Sequence, residues 1–87
     1  MIELSPQSEQ FSKTIIVSGI PVHFTTKELY SMFNRWNIIS VLFVDFNSAF
    51  IEFLESDAVE ETKAYFETTP VIDPITGDQV MLRVDSV

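Results

Sequence analysis

The chain has 87 residues, enough for one domain and too few for two. It is 46% hydrophobic, with eight Phe and no Cys, which supplies an aromatic core and excludes disulfide staples and thiolate metal sites. Five basic residues stand against thirteen acidic ones, a formal net charge of -8, so a strong non-specific grip on RNA or DNA is not expected of a chain with so few cations for phosphate.

The first eleven residues show no period and include Pro6; residues 1–12 read as a tail or linker. They carry Glu3 and Glu9 and no basic-plus-apolar leader, and no apolar run in the chain approaches the length of a membrane span. Thr14 to Ser18 reads as a strand, because Ile15, Ile16 and Val17 are β-branched and Gly19 with Pro21 ends the run. Residues 25–36 read as a helix. Thr25 is the expected N-cap, Glu28 completes a capping box, and Leu29, Met32, Phe33 and Trp36 share one side. Asn37 suits a left-handed terminator.

Ile39 to Phe46 and Ala49 to Phe53 read as two strands joined by a short Asn47-Ser48 hairpin. A second helix, capped by Ser56 or Asp57, runs to about Glu67 and buries Ala58, Val59, Thr62, Tyr65 and Phe66. Pro70, Pro74 and Gly77 punctuate a loop with a turn at Asp73 to Gly77, and Val80 to Val84 is the last strand. The order βαββαβ with right-handed crossovers predicts an α+β, ferredoxin-like sandwich: an antiparallel sheet of four strands with both helices on one face.

Strand alternation then assigns side chains to faces. If the sets that contain charge face outward, the open face presents Ile16, Phe43, Phe50 and Met81, with Ser48 and Arg83 among them. Such an exposed apolar patch implies a partner. Phe46 lies at the strand end, where it either joins that platform or fills the hairpin edge. Lys13 and Arg83 are the cations placed near the sheet rim, where they can reach phosphate. Asp45 and Glu52 read as surface charges. Arg35 suits the end of the first helix through the dipole, and Trp36 reads as core.

These residues resemble the RNA recognition motif over about residues 13–85. FNSAFIEF, from Phe46 to Phe53, is similar to the longer signature of that family, and IIVSGI, from Ile15 to Ile20, to the shorter one. Phe24 with TTKELYSMF resembles the opening of the first helix, and Leu82-Arg83-Val84 the last strand. The resemblance implies an RNA-recognition-type domain over residues 13–87 and base stacking at Ile16, Ser48 and Phe50. Only one of those three is aromatic, and stacking is worth about 1–3 kcal/mol per base, so the chain is a non-standard member on this reading.

A tighter likeness runs through ELYSMFNRWNIISVLFVDFNSAF, which resembles the RNA-recognition domain of poly(A)-specific ribonucleases, the deadenylases. In that domain a tryptophan of the second strand stacks on the 7-methylguanosine mRNA cap. The matching position is Phe43, with Asp45 or Glu52 at hand to offset a cationic base. The implied function is a non-catalytic RNA-binding module, weak on its own, for cap or poly(A), in the nucleus or cytoplasm. The alternative is a protein-interaction or dimerisation domain of the same fold, favoured by the acidic balance and the missing aromatics. His23 is the single histidine, so with no Cys there is no ligand set for a metal, and no cofactor is implied. Asp45 and Glu52 lack the cleft that would tune an acid and a base, so the domain itself is not expected to be an enzyme.

Overall fold

A computed structural model describes residues 13–87; the tail expected over residues 1–12 lies outside the described residues. Strand β1 (Thr14–Ser18) alternates as its sequence dictates, with Ile15 and Val17 fully buried. It leads through Gly19 and Pro21 to helix α1 (Thr26–Phe33). The predicted capping box is formed. The Thr25 N–H donates to Glu28 Oε1 at 2.6 Å, and Thr25 Oγ1 accepts from the Lys27 N–H at 3.3 Å. The Thr25 hydroxyl also donates to Glu28 Oε1, and this bond first, then that of the Thr25 N–H, favours the charged form of Glu28 and lowers its carboxyl below the usual value. The helix tightens into a 3-10 turn over Asn34–Trp36 and stops at Asn37, whose φ of 53° is the left-handed terminator its side chain tolerates.

Strands β2 (Ile38–Asp45) and β3 (Ser48–Phe53) follow as a hairpin, then helix α2 (Asp57–Thr68). Ser56 holds the N-cap position of α2 but makes no capping hydrogen bond through its side chain. The end of the chain departs from the single last strand predicted at Val80 to Val84. Strand β4 (Val71–Ile72) instead pairs with β5 (Gln79–Val80) as a separate small hairpin, and β6 (Arg83–Ser86) is the fourth strand of the main sheet. Two residues per strand are too few for alternation to announce them.

The main sheet has the order β2-β3-β1-β6 with every pair antiparallel. Both helices pack on one face, α1 across β2 and α2 across β6. Between sheet and helices lies an aromatic core. Phe33 is fully buried and its ring stands 4.7 Å from Phe66, 6.0 Å from Trp36 and 6.3 Å from Phe53. Trp36 keeps its polar edge satisfied by donating from Nε1 to Glu61 at 3.0 Å. Arg35 lies 5.2 Å from the Trp36 ring and 5.0 Å from that of Tyr65, so its charge caps the aromatic cluster as well as the helix end.

Asp73 fastens the β4–β5 hairpin to the body. It is nearly fully buried, accepts from the backbone N–H groups of Ile75 and Thr76, and meets His23 Nε2 at 2.7 Å. Gly77, at φ 77°, closes the turn by donating its N–H to the Asp73 carbonyl at 2.8 Å. Burial alone would raise the Asp73 carboxyl. The His23 bond, the two backbone donors and the charge of His23 outweigh it and hold the group below the ordinary carboxylate value. A lowered folded-state value means that this stabilisation is fully present above the unfolded carboxyl value and is lost as pH falls through the folded one. Asp73→Asn should therefore lower the melting temperature at neutral pH and flatten the acid limb of the stability curve. Thermal melts from neutral pH down to about pH 2 check this.

Candidate interaction face

The face of the sheet away from the helices is set by cross-strand register. Leu42 of β2 pairs with Phe50 of β3, Phe50 with Ile16 of β1, and Ile16 with Asp85 of β6. One row thus runs across all four strands as Leu42–Phe50–Ile16–Asp85. Beside it, Ser40, Glu52 and Thr14 form a polar row, with Ser40 Oγ donating to Glu52 at 3.3 Å. On the other side Ser18 pairs with Arg83, and Ser48 pairs with Asp45. Leu42 is 64% exposed and Val44 48%. The face is an apolar band flanked by carboxylates.

The sequence places Ile16, Ser48 and Phe50 on this face, and so does the structure. Phe43 is a correction. It pairs with fully buried Ala49 and packs half-buried against the core, while Leu42 and Val44 take the outward positions. The reason is a pair of register shifts, between Ile38 and Ser40 and between Phe43 and Asp45. A bulge puts one extra residue on β2, so the phase of its side chains slips. Asp45 therefore does not share the face of Phe43, and its charge does not mark that face as open. No glycine signals either bulge.

Met81 is exposed but lies between β5 and β6, outside both strands. Arg83 is on the open face, largely exposed, with its Nε donating to Asp85 at 2.9 Å. Lys13 stands at the start of β1, where its carbonyl accepts from the Phe53 N–H. Phe46 is 76% exposed. It lines an open cleft of about 370 Å³ with Val22, Phe24, Thr25, Thr26, Phe43 and Asp45 at the β2–β3 end of the sheet. Three phenylalanines and a carboxylate suit an apolar or cationic side chain better than a phosphate. A second cleft of about 310 Å³ separates α1 from the β4–β5 hairpin and is lined mainly by Phe24, Met32, Val71, Ile72 and Pro74. Among the described residues no group of three or more His, Asp or Glu is gathered as a metal would require, and no helix is long and apolar enough to cross a membrane.

No family model matches the chain, and no curated protein does. Solved structures do. The PID-3 TOFU-6 RRM domain complex has a TM-score of 0.73 at 16% identity, covering 88% of this chain and 94% of that one. The RRM domain of S. pombe Puf1 has a TM-score of 0.70 at 15% identity, covering 83% and 90%. The C. elegans NONO-1 homodimer has a TM-score of 0.71 at 16% identity, covering 90% of this chain and 29% of that one. The chain has the fold of the RNA recognition motif domains. With identities this low the likeness fixes the fold and leaves the function to the residues.

Proposed function

We propose that this domain is a non-catalytic interaction module whose open sheet face receives a protein partner rather than single-stranded RNA. The row Leu42–Phe50–Ile16–Asp85 carries the reading. It offers one aromatic where base stacking needs two or three, and it ends in a carboxylate. Arg83, the cation on this face, is already paired with that carboxylate. Glu52 adds further negative charge, and a phosphate backbone would meet repulsion here. A partner surface with apolar anchors and a cationic rim fits instead. Two of the similar structures support an assembly role by what they are, the PID-3 TOFU-6 RRM domain complex and the NONO-1 homodimer.

The RNA reading keeps one specific observation in its favour. Phe50 stands half-buried at the centre of the face, and one stacked base is worth about 1–3 kcal/mol, which alone is a grip weaker than millimolar. The cap or poly(A) specificity of a deadenylase domain loses its platform, because the position matched to the stacking tryptophan is the inward-facing Phe43. The test is a titration of isotope-labelled domain with cap analogue, oligo(A) and a mixed RNA, following backbone amides. The expected result is no shift at Ile16, Leu42 or Phe50 at micromolar ligand. Saturable micromolar shifts at those residues would overturn the protein-partner reading.

A further inference from the structure

The β2–β3 turn and the β1–α1 loop are bolted to each other. Asn47 Nδ2 donates to the Ile20 carbonyl at 3.0 Å, and the Ile20 N–H donates to the Asn47 carbonyl at 2.9 Å. The loop also closes on itself, the Phe24 N–H donating to the Pro21 carbonyl at 3.0 Å. These bonds fix the two walls of the cleft of about 370 Å³ at that end of the sheet. Each wall nevertheless holds an apolar side chain out in water, Phe46 on one and Val22 on the other. Phe46 is the one exposed phenylalanine among the described residues. Large apolar side chains left exposed on a fixed scaffold mark a contact site. Asp45 shares the lining. Its Oδ1 accepts from the Asn47 N–H at 2.8 Å, which holds the carboxylate in place and leaves Oδ2 without a partner among the described residues.

We propose that this cleft receives an arginine side chain from a basic segment of a protein partner. Phe24, Phe43 and Phe46 line it beside one carboxylate, and none of the five Lys and Arg residues is in the lining. A guanidinium is planar, stacks on an aromatic face, binds a carboxylate through its fork of N–H donors and is more weakly hydrated than an ammonium. The same walls would hold a lysine less well, and they give a phosphate no cation to meet. The positive end of α1 opens beside the cleft but brings no unanswered charge against the guest. The Thr25 N–H donates to Glu28 at 2.6 Å, so a carboxylate already faces that helix end. The net charge of -8 adds a field that draws a basic segment in. Walls fixed in advance leave little ordering to be done on binding. The cleft shares no residue with the row Leu42–Phe50–Ile16–Asp85, so it is a second site and does not rest on the reading of the open face.

Peptide titration of the isotope-labelled full chain tests it. The probe is acetyl-Gly-Arg-Leu-Gly-amide, with versions that carry citrulline, lysine or glutamate in place of the arginine. Saturable amide shifts are expected at Val22, Thr25, Asp45 and Phe46, with Ile16, Leu42 and Phe50 unmoved. Citrulline keeps the shape of arginine without its charge and should weaken binding by about fivefold or more, as loss of a cation over an aromatic face implies. Lysine should bind less well than arginine, and glutamate should not bind. Asp45→Asn keeps the oxygen that holds the turn, and Phe46→Ala removes an exposed ring, so both should fold, which their amide spectra check. Each should weaken the arginine peptide by a similar factor, and so should added salt. No shift at the four cleft residues at millimolar peptide overturns the proposal. So does equal binding of the citrulline version, or binding that survives both variants. Cap analogue or oligo(A) that moves these amides while the arginine peptide does not would assign the cleft to a nucleic-acid base, and also overturns it. Peptide shifts confined to Ile16, Leu42 and Phe50 overturn it and leave the open-face reading standing. Micromolar RNA shifts on that face, together with arginine-peptide shifts in the cleft, overturn the face reading and support this one.

Discussion

Phe33→Ala should remove a large part of the stability of this domain. Phe33 is fully buried at the meeting point of α1, α2 and β3, with ring neighbours Trp36, Phe53 and Phe66. Truncating a packed phenylalanine costs about 3–5 kcal/mol, because transfer energy is lost and the cavity only partly collapses. A domain of 87 residues has a total stability of roughly 4–13 kcal/mol, so this one change removes from about a quarter to nearly all of it. Urea titration should show a large drop in midpoint with an unchanged slope. Phe33→Leu should lose less, since it keeps most of the buried surface. Equal losses would mean that the aromatic cluster does not hold the helices to the sheet.

The second large effect is a contrast between two phenylalanines that sequence alone groups together. Phe43→Ala should cost about 1–2 kcal/mol of stability, as expected for an apolar side chain half-buried against a core. It should leave partner binding at the sheet face almost unchanged. Phe50→Ala should do the reverse. Its ring stands on the open face between Leu42 and Ile16, so stability should fall by no more than about 1 kcal/mol. Partner affinity should fall by at least about 2 kcal/mol, roughly thirtyfold, as for an aromatic anchor at the centre of an interface. Paired urea melts and calorimetric titrations read both numbers. If Phe43→Ala were the variant that lost binding while keeping stability, the register of β2 would be wrong.

Much of the fold is legible in the residues because local rules and global topology agree. β1 announces itself by three β-branched residues and a Gly-Pro stop, and α1 by a capping box that the structure forms bond for bond. β3 alternates cleanly, with Ala49, Ile51 and Phe53 buried. The phase of β2 is not legible. Its residues are apolar on both faces, so alternation has nothing to grip, and two bulges shift the register without a glycine or proline to mark them. The small β4–β5 hairpin escapes for a different reason. Its strands are two residues long, and its anchor is the His23–Asp73 contact between residues fifty positions apart. Periodicity carries no information about such a pair.

The face shows the same division. Ile16, Ser48 and Phe50 are placed outward by simple alternation in well-marked strands. Leu42 and Val44 become its outermost apolar residues only once register is known. The signal that could have found them is the pairing itself. Ala49, Ile51 and Phe53 form the uncharged set of β3, opposite the set that carries Glu52, and whatever pairs with them on β2 must share their side. Setting β2 against that pattern brings Val41 and Phe43 inward without reference to Asp45.

The most direct measurement places a photo-reactive benzoylphenylalanine at position 50 of the full chain and irradiates it in cells. Phe50 is the centre of the row on which the reading rests, and its ring points away from the helices. The adduct is then divided, one half treated with ribonuclease, and both halves are sized. A protein partner on the open face predicts an adduct whose mass ribonuclease leaves unchanged. An adduct that collapses to the mass of the bare chain on ribonuclease treatment would show RNA on that face, and would contradict the account.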